Sequence, residues 1–144
     1  MDSYVERDEV EVLRVQADMN GKGPAEAMQK LEAKLRSLKG RKFYGTFRLL
    51  DDGEEYFACV ERIQGDDPAS MGLDVGKIPG GLYARRKVSD WERVIAAGKL
   101  GDLFRDMVHA HSVDRSRPSI EYYRSMSELH LLVPVVSRSQ SAPG

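Results

Sequence analysis

The chain has 144 residues, 41% of them hydrophobic and 31% charged, with 22 basic and 23 acidic side chains and a net charge of -1. That length fits one ordinary domain, and the composition supports a buried core rather than a disordered chain. The near-neutral balance provides no global field for nucleic acid or anionic membrane. The lone Cys59 excludes an internal disulfide and any multi-cysteine metal site.

Along the chain, the acidic start from Met1 to Glu11 has no signal-peptide character, and no apolar stretch reaches membrane-span length, so a cytoplasmic protein is expected. Val10 to Ala17 is β-branched and partly alternating, which predicts a strand. Asn20-Gly21-Lys22-Gly23-Pro24 breaks it, and Pro24 suits the first turn of a helix. From Ala25 to Leu38, Ala27, Met28, Leu31, Leu35 and Leu38 recur at spacings of three and four, predicting an amphipathic helix stopped near Gly40. Phe43 to Leu49 and Glu55 to Glu61 flank the turn signal Asp51-Asp52-Gly53-Glu54 and read as a hairpin. Cys59 lies in its second strand as a small buried hydrophobe.

Gly65 to Gly81, rich in glycine, proline and aspartate, reads as a connecting loop or half-ordered strand. The pattern then restarts: a strand from Gly81 to Val88, helical sequence from Trp91 through Leu100 to His109, and a second hairpin from Ser119 to Tyr123 and Leu129 to Val136. Each half is therefore strand, helix, strand, strand. Repeat one spans about 8–62 and repeat two about 77–136, within one domain of residues 1–136. The fold class is α+β: one curved antiparallel sheet, both helices on one face, and a groove between the repeats. Residues 137–144, rich in Ser, Pro and Gly, are expected to form a flexible tail.

Arg117-Pro118-Ser119-Ile120-Glu121-Tyr122-Tyr123 is the stretch richest in chemistry. Strand alternation puts Ile120 and Tyr122 on one face, and Ser119, Glu121 and Tyr123 on the other. A carboxylate in an apolar strand needs a partner if buried, and a tyrosine hydroxyl, an arginine or a ligand cation can each supply one. On spacing alone, an exposed or salt-bridged strand glutamate is the commoner case. Tyr44, Phe47, Tyr56, Phe57, Tyr83, Trp91 and Tyr123 are candidate pocket walls, although aromatic strand residues more often build cores. Tyr56, Tyr83 and Tyr123 rank first. His109, His111 and His130 lack ligand spacing, so no metal is expected. No cofactor, Walker or nucleophile-elbow motif is present.

Lys77-Ile78-Pro79-Gly80-Gly81-Leu82-Tyr83-Ala84, then Arg117 to Tyr123, then Leu129-His130-Leu131-Leu132-Val133-Pro134-Val135 together resemble the GyrI-like small-molecule-binding family. That family includes the effector-binding domains of multidrug-sensing transcription regulators. The resemblance covers roughly residues 77 to 136, and the first half fits by pattern only. It implies a pocket between the repeats into which Glu121 projects, binding a drug-like, aromatic or cationic ligand. It also implies an alternative, hydrolysis of cyclopropane-bearing genotoxic compounds, with Glu121, Tyr56 and Tyr123 as the reacting groups. A third implied role is gyrase inhibition through a protein contact. The predicted first strand starts too near residue 1 to leave room for a DNA-binding domain, so a stand-alone binding protein is the first expectation.

Overall fold

The computed structural model describes residues 2–136; the predicted tail at 137–144 lies outside the described residues. In chain order the elements are β1 (Ser3–Arg7), β2 (Val10–Gln16), α1 (Gly23–Ala33), β3 (Phe43–Leu50), β4 (Gly53–Glu61), α2 (Pro68–Met71) and β5 (Asp74–Ile78). They continue with β6 (Gly81–Ser89), α3 (Trp91–Ala96), α4 (Leu100–Ala110), β7 (Ser119–Tyr123) and β8 (Glu128–Pro134). The strands form one antiparallel sheet in the order β1-β6-β8-β7-β3-β4-β2-β5. The two predicted repeats are visible in it, β2-α1-β3-β4 against β6-α3-α4-β7-β8, meeting where β3 pairs with β7.

The outermost strands are exchanged between the repeats. β1, from the start of repeat one, pairs with β6, with Ser3 opposite Arg85 and Arg7 opposite Gly81. β5, just before β6, pairs with β2, with Val10 opposite Ile78 and Arg14 opposite Asp74. Both ladders keep one register across the break at Asp8-Glu9 and Pro79-Gly80. β1 with β2 therefore runs as one long kinked strand beside β5 with β6. The kink is tight: a β-carbon on Gly80 would stand 2.8 Å from both the Arg7 carbonyl oxygen and the Glu9 nitrogen. The two ends of the sheet are thus brought together, and the sheet curls into a half-barrel.

One face carries the helices. Ala27 and Leu31 of α1 pack on Leu13, Ala58 and Val60, while Met107 of α4 packs on Ala84, Leu129, Leu131 and Val133. The other face has no helix and packs on itself. Val12, Tyr44, Cys59, Ile78, Tyr83, Ile120 and Leu132 come from seven strands and form one buried cluster, which only a sheet curled towards that side allows. Burial pushes the Cys59 thiol up to about 12, leaving it a small hydrophobe in this cluster.

Both hairpins and the helical stretches stand where the sequence predicts them, with three differences. α1 stops at Ala33 rather than Leu38: the Lys34 and Leu35 amides turn back to the Leu31 and Glu32 carbonyls, 3.1 Å each, and tighten the last turn. Gly65 to Gly81 holds the short α2 and β5, and the acidic start holds β1. Both strands owe their order to ladder pairing with the other repeat rather than to an apolar pattern of their own. No helix among the described residues is long and apolar enough to cross a membrane.

Candidate functional site

β7 is an inner strand, so its residues have neighbours on both sides. Glu121 stands opposite Gly45 of β3 and Leu131 of β8, on the helix-bearing face and between the halves covered by α1 and α4. The alternation predicted for β7 holds: Ile120 joins the self-packed face, and Tyr123 packs with the α4 cluster. Tyr56 reaches the same point from β4, where it belongs to the α1 cluster.

Three side chains converge there. The Tyr56 hydroxyl donates to Glu121 Oε1 at 2.6 Å, and the Tyr123 hydroxyl donates to the same oxygen at 2.9 Å. Glu121 keeps 9% of its surface accessible and Tyr56 only 4%. Oε2 makes no hydrogen bond, and no lysine or arginine pairs with the carboxylate, among the described residues. Burial raises the Glu121 carboxyl above the ordinary carboxylate range, and the two tyrosine hydrogen bonds oppose the rise without cancelling it. Tyr56 and Tyr123 are pushed upward as well, first by burial and then by the adjacent carboxylate, so both remain hydroxyl donors.

Gly45 makes the convergence possible. A β-carbon there would lie 2.0 Å from the Tyr56 hydroxyl and 2.4 Å from Glu121 Oε1, a space that only glycine leaves open. Sequence reasoning missed this residue. Its signal is a glycine amid the aromatic run Phe43-Tyr44-Gly45-Thr46-Phe47, since a glycine inside a strand often marks a close approach.

The predicted wall residues divide by face. Trp91 meets Tyr123 edge-on, with ring centroids 5.2 Å apart, and its indole N–H donates to the Ser125 carbonyl at 3.0 Å. Phe47, directly opposite Ser119 and Tyr56, lines the same side half-buried. Tyr44 and Tyr83 do not join the group. Tyr44 sits one residue out of phase with Gly45, on the self-packed face, where it stacks on Tyr122 at 4.9 Å. Tyr83 is fully buried on that face; its hydroxyl donates to the Pro79 carbonyl at 2.5 Å, and the Arg117 guanidinium stands 4.8 Å from its ring. Arg117 Nε donates to Asp114 Oδ2 at 3.0 Å, and its two Nη atoms donate to the Gly80, Leu82 and Val135 carbonyls at 3.0 to 3.3 Å, which ties β6 to the segment after β8.

Two clefts lie away from Glu121. One, of about 330 Å³, adjoins Arg117 and Gly80; the other, of about 800 Å³, opens beyond the end of α1. Among the described residues, no group of three or more His, Cys, Asp or Glu side chains converges as a metal site would require.

No protein-family model and no curated protein matches the sequence. The fold is shared with solved structures. An integron cassette protein from the mobile metagenome of Vibrio cholerae superposes with a TM-score of 0.69 at 16% identity, over 94% of this chain and 95% of that one. A protein solved bound to tetraphenylphosphonium gives 0.61 at 13% identity, over 98% and 97%. A hydrolase from Listeria innocua gives 0.57 at 12% identity, over 94% and 91%. At such identities the likeness shows the fold alone.

Proposed function

We propose that the chain binds a small organic molecule over Glu121. A cationic or hydrogen-bond-donating group would meet the carboxylate, and an aromatic or aliphatic body would lie against Tyr123, Trp91 and Phe47. The carrying observation is a buried carboxylate whose one oxygen accepts both tyrosine hydroxyls while, among the described residues, no cationic side chain pairs with it. A buried charge without a counter-charge costs several kcal/mol in a protein interior, of order a few at least. A ligand cation recovers part of that cost, and the neighbouring rings add cation–π attraction. The resemblance to the GyrI-like family and a structural neighbour with a bound organic cation support the same reading.

Tetraphenylphosphonium, a cation with a purely aromatic body, is the first probe. Calorimetric titration, with fluorescence of the single tryptophan Trp91 in parallel, is expected to show saturable binding. Glu121→Gln, which keeps the shape and removes the charge, is expected to weaken it at least tenfold. Equal affinity in wild type and variant would sink the role of Glu121.

A second reading, hydrolysis, draws on the raised carboxyl. Protonated, Glu121 can deliver a proton to a strained ring opening under attack by water; ionised, it can draw the proton from that water. A structural neighbour is called a hydrolase, which supports keeping this reading. Incubation with a cyclopropane-bearing alkylating compound, followed by mass spectrometry, separates it from binding alone. Ring-opened product with wild type and none with Glu121→Gln would establish it.

A further inference from the structure

The larger cleft, of about 800 Å³, is distant in chemistry from Glu121. It lies between the segment after α1 and the segment joining β4 to α2, and four basic residues (Lys34, Arg36, Lys39, Arg41) line it against two acidic ones (Asp66, Asp67). The positive excess belongs to the cleft and not to the chain, whose net charge is -1. Its floor is the Arg41–Asp66 ion pair, with side chains only 6% and 11% exposed. Asp66 is fully occupied there: both oxygens accept from Arg41 Nη1, at 3.2 and 3.1 Å, and Oδ2 also accepts the Ile63 amide at 3.0 Å.

Arg41 is not fully occupied. Nη2 makes no hydrogen bond among the described residues, and Nε is buried without a partner. A nearly buried guanidinium with donors left over is the group that an entering anion satisfies. Lys34, Arg36 and Lys39 ring the opening with no acidic partner among the described residues. Lys34 Nζ is turned towards α2, 3.1 Å from where a β-carbon on Gly72 would stand. Leu35, Ile63 and Met71 form an apolar part of the wall beside Ser37, Gly65 and Ser70: Leu35 and Met71 are half-buried, and Ile63 is 48% exposed.

We infer that this cleft is a second ligand site, for a small organic anion. A carboxylate, sulfonate or phosphate head group meets Arg41 and the three exposed cations, and an apolar body lies on Leu35, Ile63 and Met71. Its charge preference is the reverse of the one proposed for the Glu121 groove, so the two sites sort ligands by sign.

The test titrates 8-anilinonaphthalene-1-sulfonate into the full chain and follows its fluorescence at low and high salt. The expected result is saturable one-to-one binding that weakens with salt, because exposed charges are screened. The variant Lys34→Glu/Arg36→Glu/Lys39→Glu changes only exposed side chains and is expected to keep its circular dichroism while binding at least tenfold more weakly. Glu121→Gln is expected to bind the sulfonate as wild type does. No saturable binding, undiminished binding by the triple variant, equally tight binding of the uncharged N-phenyl-1-naphthylamine, or tighter binding by Glu121→Gln would each overturn the inference. The last outcome would assign the dye to the neighbourhood of Glu121, where removing the carboxylate removes repulsion of the sulfonate.

Discussion

Gly45→Ala tests the geometry of the candidate site without touching any of its functional groups. The added β-carbon would stand 2.0 Å from the Tyr56 hydroxyl, 2.6 Å from its ring carbon Cζ and 2.4 Å from Glu121 Oε1. Ordinary contact begins near 3.4 Å, so at least one partner must move by about 1 Å or more. Neither has room, since Tyr56 and Glu121 are both buried and β3 is paired on both sides. Overpacking of this kind costs about 1–3 kcal/mol. Loss of the Tyr56–Glu121 hydrogen bond adds about 1–3 kcal/mol, depending on the charge the carboxyl carries. The sum is about 2–6 kcal/mol. For a chain of this length, at roughly 4 °C per kcal/mol, it lowers the melting temperature by about 8 °C or more. Thermal unfolding followed by circular dichroism measures it. Gly101→Ala is the control: it lies in α4 with its nearest neighbour atom 3.9 Å away, and it is expected to be neutral or mildly stabilising. The double variant Gly45→Ala/Tyr56→Phe should lose less than the two single losses added, because the nearest clashing atom is gone. If Gly45→Ala melted within about 2 °C of wild type, the claim that glycine holds the site open would fail.

Two further predictions concern pH and the β6 anchor. The folded state raises the Glu121 carboxyl, so its stabilising contribution is complete below the unfolded carboxyl range and is lost as pH rises through the folded value. Glu121→Gln carries no such loss. Melting curves from pH 4 to 8 should therefore show the variant gaining on wild type as pH rises, and a constant difference would mean that burial does not perturb the carboxyl. Arg117→Ala removes the donor from the Gly80, Leu82 and Val135 carbonyls, of which Leu82 keeps the Val135 amide; it also ends the Asp114 ion pair and takes the cation from the Tyr83 ring. Hydrogen bonds from a charged donor are worth roughly 1.5–3 kcal/mol each and are not additive, so a loss of about 3 kcal/mol is expected in chemical denaturation. Arg117→Lys should not restore it, because an ammonium lacks the planar fork that spans three acceptors. Full recovery with lysine would refute that account.

What the sequence made legible follows the reach of local rules. The two hairpins carry their own turn chemistry, and the helical spacing of Ala27 and Leu31 survives in the packing of α1. β1 and β5 carry no comparable signal, since each is ordered by a strand distant in sequence, with Ser3 opposite Arg85 and Arg14 opposite Asp74. In the site, alternation within β7 correctly separated Glu121 and Tyr123 from Tyr122. Alternation cannot relate one strand to another without a register. Tyr44 was therefore grouped with Glu121 although Gly45 is its actual partner. Arg117 pairs with its near neighbour Asp114, but its other acceptors are backbone carbonyls, which no side-chain pattern reveals.

The location of the acid has a reason in the duplication. The sheet order is symmetric about the β3–β7 ladder, and Gly45 opposite Glu121 is the centre of that five-pair ladder. The two residues thus occupy equivalent places in the two repeats, as do Phe47 and Tyr123, two positions further along. A strict repeat would put two carboxylates side by side in a buried setting, where like charges cannot both ionise without large cost. Two β-carbons with extended side chains would also not fit, given the clash already met by one. The duplicated frame can therefore hold a single acid at its axis only if one copy gives up its side chain. Glycine in repeat one supplies the space, glutamate in repeat two supplies the charge, and Tyr56 crosses from repeat one to hold it. The frame accordingly offers one carboxylate at its axis, which fits the proposed ligand with one positive or donating centre rather than a symmetric dication.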